Sequence, residues 1–144
     1  MTRMIFVNLP VADLSRAMAF YEALGFVNEP RFTDDTAAAM QWSDTIVVML
    51  LTHEKWREFT RRPITSDGSS SLRLCLNLDT AEEVREMNRL AGLHGGTADC
   101  DPPTDHDFMM SHAFADPDGH IWEPMWMDPL AAEQGPPDLV ADGS

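Results

Sequence analysis

The sequence predicts an α+β domain made of two βαβββ modules. Residues 4–52 show the pattern of a strand, a helix and three strands, and the same order restarts over residues 72–127. Residues 53–71, rich in Ser, Gly and Asp near their end, are interpreted as a linker. One helix cannot cover both faces of its own module's sheet, so we expect the two modules to pack together as a single domain, residues 1–127.

The first module is predicted from its hydrophobic pattern. Residues 4–11 form an almost continuous apolar run with the length of a buried strand. Asp13 is a candidate helix N-cap, apolar residues recur at helical spacing over 14–24, and Gly25 ends the helix. Turn-forming residues then separate three short predicted strands, at 26–32, 37–42 and 45–51.

The second module repeats this order. Residues 72–78 predict a strand, and Thr80 and Glu83 have the capping-box spacing that opens a helix. Gly95 and Gly96 end that helix, and three more strands are predicted after it, at 97–100, 108–115 and 120–127. Within the linker, residues 53–60 predict a short helix.

Composition limits the classes of partner. The net charge is -14, no Lys or Arg follows Arg89, and eleven Asp and Glu lie between Asp99 and Asp142. Nucleic acids and anionic membranes require a basic surface, so neither is expected, whereas a cationic ligand would suit this charge. The acidic tail, residues 128–144, lacks periodicity and is expected to be extended or disordered.

The two cysteines and the hydropathy pattern predict a cytoplasmic protein. Cys75 and Cys100 have no metal-finger spacing, and no secretory leader precedes them, so we expect both thiols to be reduced. No apolar run approaches the roughly eighteen residues of a membrane span.

A tight turn near the end of the second module presents an unusual carboxylate. Pro117 and Gly119 supply the backbone angles that a tight turn needs, and the strand that follows carries Glu123 among apolar residues. Burying an unpaired carboxylate is costly, so Glu123 needs an open cavity, a cationic partner or a metal. The alternative is that it lies on the solvent face of an edge strand.

These motifs resemble those of a known superfamily. Leu-Pro-Val-Ala-Asp-Leu at 9–14, with Ala-Phe-Tyr at 19–21 and Leu-Gly-Phe at 24–26, resembles the opening of the vicinal oxygen chelate superfamily, and 116–119 with Glu123 resembles its closing signature. The resemblance covers about residues 4–127. It implies the glyoxalase/bleomycin resistance/dioxygenase fold, in which paired βαβββ modules form a curled mixed sheet with a central cleft.

The resemblance also implies where a metal would be held. Members hold a divalent ion with His, Gln or Glu on the first and last strands of each module. The corresponding positions in this chain are Phe6, Met49, Arg73 and Glu123. Since only Glu123 is a suitable ligand, we predict no metal centre, and instead a buried ion pair between Arg73 and Glu123 across the cleft.

The expected ligand-binding cleft follows from the same correspondence. Its predicted lining residues are Phe6, Asn8, Met49, Leu51, Arg73, Cys75, His112, Glu123 and Met125. A divalent metal would instead require Glu123 together with His112 or His106. Proteins of this kind pair to complete their clefts, so a homodimer is expected.

The sequence is compatible with three functions. The first is a small-molecule-binding protein, similar to the drug-sequestering branch of the superfamily, that holds a cationic or aromatic ligand without the usual metal. The second is a metal-dependent lyase, isomerase or dioxygenase, similar to lactoylglutathione lyase, that uses Glu123 as ligand or base with relocated histidines. The third is a non-catalytic structural or partner-binding module.

Overall fold

The computed structural model describes residues 1–65 and 69–135 of the chain. The elements of the first module are β1 (Ile5–Val11), α1 (Leu14–Ala23), β2 (Val27–Glu29), β3 (Ala37–Gln41) and β4 (Ile46–Thr52). A helix, α2 (His53–Phe59), follows in the predicted linker. The elements of the second module are β5 (Arg73–Asn77), α3 (Ala81–Leu93), β6 (Thr97–His106), β7 (Met109–Ala115) and β8 (Ile121–Met127).

The strands form two four-stranded mixed sheets, which confirms the α+β class and the two βαβββ modules. Sheet 1 has the strand order β1-β4-β3-β2, and sheet 2 has the order β5-β8-β7-β6. In each module the first strand along the chain pairs in parallel with the fourth, β1 with β4 and β5 with β8. Parallel pairing requires a crossover connection, which the helix after the first strand begins. The two sheets are not joined to each other within one chain, and β1 and β5 are both edge strands.

The helix boundaries follow the predicted capping residues. Asp13 caps α1 by accepting a hydrogen bond from the backbone N–H of Arg16 at 3.0 Å. Gly25, just past the end of α1, has a φ of 105°, a conformation that only glycine adopts readily. Thr80 caps α3 by accepting from the backbone N–H of Glu83 at 3.1 Å.

Two segments differ from the predicted elements because of proline. β2 ends at Glu29, and Pro30–Phe32 form a 3-10 turn, because proline has no N–H for the sheet ladder. In the predicted extended tail, Pro129–Gln134 form a helix, α4, which Asp128 caps and Pro129 opens at the first helical position. Residues 136–144 of the tail lie outside the described residues.

One hydrophobic core joins the two modules. It combines the inner faces of both sheets with α1 and α3, and aromatic rings meet across the module boundary. The Tyr21 ring lies 5.8 Å from that of Trp122, and the Phe20 ring 6.1 Å from that of Phe114. The opposite face of each sheet, hereafter the outer face, does not take part in this core. In the part of the chain that the structure describes, no helix has the length and hydrophobicity needed to cross a membrane.

Candidate functional site

The outer face of sheet 2 carries the unusual carboxylate. Parallel pairing places Cys75 beside Glu123 and Asn77 beside Met125 on β5 and β8. Their neighbours along the strands, Leu76 and Trp122, lie in the core, so strand alternation turns Cys75 and Glu123 outward.

Arg73 joins two carboxylates on this face. Its Nη2 contacts Glu123 Oε1, and its Nη1 donates to Asp101 Oδ2 at 2.8 Å. Cys75 Sγ donates to the other Glu123 oxygen at 3.5 Å. One guanidinium faces two carboxylates, so the group retains one uncompensated negative charge at neutral pH.

The predicted contact between Arg73 and Glu123 is present, but its setting differs from the prediction. The two residues lie on adjacent strands of one sheet rather than across a cleft, because β5 pairs directly with β8. Their side chains are 46% and 22% exposed within one chain, so the pair is not buried there.

Burial and the charges around Arg73 shift the pKa values of nearby groups. The hydrogen bond to Glu123 raises the pKa of Arg73, which stays charged. Burial, followed by the charge of Glu123, raises the pKa of Cys75. Burial and the charge of Asp101 likewise raise the pKa of Cys100. Both thiols are therefore held in the protonated, weakly nucleophilic form.

The other predicted cleft residues lie on sheet 1. Asn8 pairs with Met49 on the outer face, where Phe6 is 55% exposed and Leu51 is buried. The predicted lining is thus divided between the outer faces of two separate sheets. One chain does not bring these residues together in a single cleft.

The structure places both candidate histidines away from Glu123. Ser111 pairs with Met125 on the outer face, so His112 faces the inner side, where its Nδ1 lies 2.6 Å from Asp99 Oδ1. The prediction that His112 lines the cleft is therefore wrong. His106 pairs with Met109 at the far end of β6 and stacks on Phe108, with ring centroids 5.3 Å apart.

The four positions implied by the resemblance do not fit a divalent ion. Phe6 has no donor atom, and Met49 offers only a thioether. Arg73 is permanently charged and already holds one oxygen of Glu123. Among residues 1–65 and 69–135, no group of three or more His, Cys, Asp or Glu side chains is arranged to bind a metal.

Two adjoining cavities lie beside this face. One, of about 530 Å³, is lined by Ser70, Ser71, Leu72, Arg73, Asp101 and Ile121. The other, of about 510 Å³, lies between the end of β1, the start of α1, α2 and the turn at residues 116–120, and shares four lining residues with the first. Of the predicted cleft residues, Arg73 lines the first cavity and Asn8 the second.

The turn at residues 116–120, hereafter the closing turn, binds the second module to the first. Asp118 Oδ1 accepts from the backbone N–H of Ala12 at 2.8 Å, and His120 Nε2 lies 2.7 Å from the carbonyl oxygen of Pro10. The sequence motif indicated the turn, but nothing in it indicated this contact between modules.

Asp116 and Tyr21 form a buried polar pair behind the closing turn. Tyr21 donates its hydroxyl to Asp116 Oδ2 at 2.5 Å and accepts from Trp122 Nε1 at 3.0 Å. Burial is the largest influence raising the pKa of Asp116 above its ordinary value. Burial, followed by the charge of Asp116, raises the pKa of Tyr21 well above its ordinary value. These groups stabilise the module junction rather than forming an open site.

Comparison with known proteins supports the fold. A family model described as bleomycin resistance protein-like N-terminal matches residues 3–41. No curated protein matches the chain. Among solved structures, a hypothetical protein from S. aureus is 24% identical, with a TM-score of 0.73 over 88% of this chain and 95% of that one.

The names of two further similar structures refer to an activity or to drug resistance. A glyoxalase-related enzyme from Fulvimarina pelagi is 23% identical, with a TM-score of 0.72 over 88% of each chain. The fosfomycin resistance protein FosX from Mesorhizobium loti is 16% identical, with a TM-score of 0.61 over 92% of this chain and 96% of that one. These findings confirm the resemblance to the vicinal oxygen chelate superfamily and its glyoxalase/bleomycin resistance fold, while identities this low show the fold alone.

Proposed function

We propose that this protein binds a small cationic or aromatic molecule on the outer face of sheet 2, without the metal centre usual for the fold. The observation that carries this proposal is the placement of Arg73 between Glu123 and Asp101. Its second carboxylate leaves a negative charge that a cationic ligand group would balance.

The surroundings of this group favour an organic ligand. The cavity beside Arg73 and Asp101, about 530 Å³, lies within the range of about 300–1,000 Å³ typical of small-molecule sites. Three half-buried methionines, Met109, Met125 and Met127, share the same sheet face. Thioether side chains adapt to the shape of apolar and aromatic groups, so this surface suits the ring of a ligand.

We also infer that a homodimer completes the site. β1 and β5 are edge strands with unpaired backbone groups, and β1 carries Ile5 and Phe6, which are 57% and 55% exposed. Pairing β1 of one copy with β5 of another would bring the two halves of the predicted cleft onto one surface. The two free cysteines suit a reducing compartment, which we take to be the cytoplasm.

Ligand binding tests this proposal directly. The protein should be screened by thermal shift with bleomycin, a cationic glycopeptide, and with aromatic amines, since a ligand specific to the native state raises the melting temperature. For any ligand found, Asp101→Asn and Glu123→Gln should each weaken binding by about tenfold, because each removes one charge from the site. Asp105→Asn, on the same strand as Asp101 but outside these contacts, is the matched control.

Two results would contradict the proposal. Equal affinity of the parent and of both charge variants would show that the ligand binds away from Arg73. Stoichiometric Ni, Zn, Fe or Mn in protein purified without chelator would favour the metal-dependent enzyme instead.

A further inference from the structure

The 510 Å³ cavity is distinct in its chemistry from the site around Arg73. It lies between the end of β1, the first turn of α1, α2 and the closing turn, and residues 63–65 and 69–72 complete its lining. Neither Arg73 nor Glu123 lines it, although it meets the other cavity near Leu72 and Ile121. Its volume is that of a separate small-molecule site.

One wall of this cavity is aromatic. His53 and Trp56 lie three residues apart on α2 and therefore on one helix face. Both side chains are half-buried. Among the described residues, neither the imidazole nitrogens of His53 nor the indole N–H of Trp56 has a hydrogen-bond partner. Pro10, Leu74 and Ile121 add apolar surface to the lining. A planar ring would find stacking and apolar contacts here.

A carboxylate with one unpartnered oxygen lines the cavity. The Asp118 side chain is only 9% exposed and lines the cavity. Its Oδ1 accepts from Ala12 and lies 3.6 Å from Arg16 Nη2, whereas Oδ2 is buried with no hydrogen-bond partner among the described residues. Buried carboxylate oxygens normally have donors, so this atom indicates a missing one.

We propose that this cavity is a second binding site, for a neutral amino-substituted heteroaromatic ring. The ring lies against Trp56 and His53, and its amino group donates to the carboxylate of Asp118, which lines the cavity. Because Arg16 already balances the charge of Asp118, the site favours a neutral donor over a cation. The chemistry therefore differs from that of the cationic site on sheet 2.

The test compares two ring-methylated probes, 9-methyladenine and 9-methylpurine (hereafter adenine and purine), by isothermal titration of the full chain. Adenine should bind about tenfold more tightly than purine, since methylation removes the ring N–H from both probes and leaves only the amino group of adenine to donate to Asp118. Trp56→Leu should weaken adenine binding by about tenfold through loss of stacking. Phe59→Ala changes an exposed aromatic on the same helix and should leave binding unchanged.

Asp118→Asn should make the two probes bind alike. Because Asp118 also binds Ala12, that variant can fail to fold, and the two probes on the parent and on Trp56→Leu then decide the outcome. Absence of adenine binding, equal affinity for both probes in the parent, or binding unaffected by Trp56→Leu would overturn the second site. Adenine binding lost in Arg73→Met but kept in Trp56→Leu would place the probe on sheet 2 and would also overturn it.

Discussion

Asp116 is a carboxylate in the protein interior, 3% exposed, at the junction of the two modules. Its Oδ1 accepts from the backbone N–H groups of Asp118 and His120, at 2.9 and 2.8 Å. Its Oδ2 accepts from Tyr21 at 2.5 Å. These bonds offset part of the cost of burial, but burial still raises the pKa of Asp116.

Asp116→Asn should change how stability depends on pH. A folded pKa raised above its ordinary value of 3.8 means that the native carboxyl holds its proton after the unfolded one has lost it. The stability contribution of Asp116 is therefore highest below pH 3.8 and falls as pH rises through the folded pKa. The free energy of unfolding of the variant, relative to the parent, should increase with pH across this window.

Urea unfolding at a series of pH values measures this difference. Asp128→Asn, which changes the same residue type at a helix cap, provides the control. A difference between Asp116→Asn and the parent that is constant with pH would show that burial does not raise the pKa of Asp116.

At the residue scale, the sequence identified Glu123 and its partner Arg73 but not the full site. Asp101 was not predicted as a site residue because β6 was expected to end at Cys100, whereas the strand continues to His106. The prediction that His112 points to the outer face was wrong, because an error of one residue in strand register moves every side chain of that strand to the opposite face. Strand position depends on the hydrogen-bonded neighbour, which a single strand's sequence does not reveal.

At the element scale, local signals were sufficient for most of the fold. The caps at Asp13 and Thr80 and the repeated element order located α1, α3 and their strands. The helix at Pro129–Gln134 shows how such a signal is missed: Asp128 followed by Pro129 is a typical helix start, but the acidic, Pro-containing segment indicated disorder.

The turn between α3 and β6 is packed too closely for any side chain at Gly96. A Cβ there would collide with the carbonyl oxygen of Ala115 and lie 2.8 Å from Cε2 of Phe20. Gly96→Ala should therefore lower the free energy of unfolding by about 3 kcal/mol, because backbone atoms and a buried ring must move. Chemical denaturation measures the loss.

Gly92→Ala is the matched control within α3. Its added methyl would meet the Ala98 Cβ at 3.1 Å, a close contact that a shift of a few tenths of an ångström relieves, and alanine improves helix propensity. We expect a change within about 1 kcal/mol of the parent. Equal losses in the two variants would show that close packing at Gly96 is not the cause.

At the scale of the whole molecule, the separation of the two sheets could not be predicted. Periodicity describes each strand's faces, whereas the contact between modules depends on which helix faces meet. Here α1 and α3 share one core, so the outer faces point away from it. The residues expected to line one cleft are consequently distributed over two surfaces.

The proposed dimer predicts that Phe6→Asp dissociates the protein into monomers. A charge on the exposed edge strand β1 would oppose strand pairing with a second copy. Val27→Asp is the matched control, because Val27 is 62% exposed on β2, the other edge of sheet 1. Light scattering after size-exclusion chromatography measures the mass, and a parent protein that is already monomeric would contradict the dimer.

The closing turn also bears on how the chain folds during synthesis. The bonds from Asp118 to Ala12 and from His120 to Pro10 span 106 and 110 residues. A nascent chain that has completed only its first half leaves one side of Tyr21 and Phe20 without the aromatic partners supplied by Trp122 and Phe114. Such long-range contacts slow folding, so the first module stays incomplete until nearly the whole domain has left the ribosome.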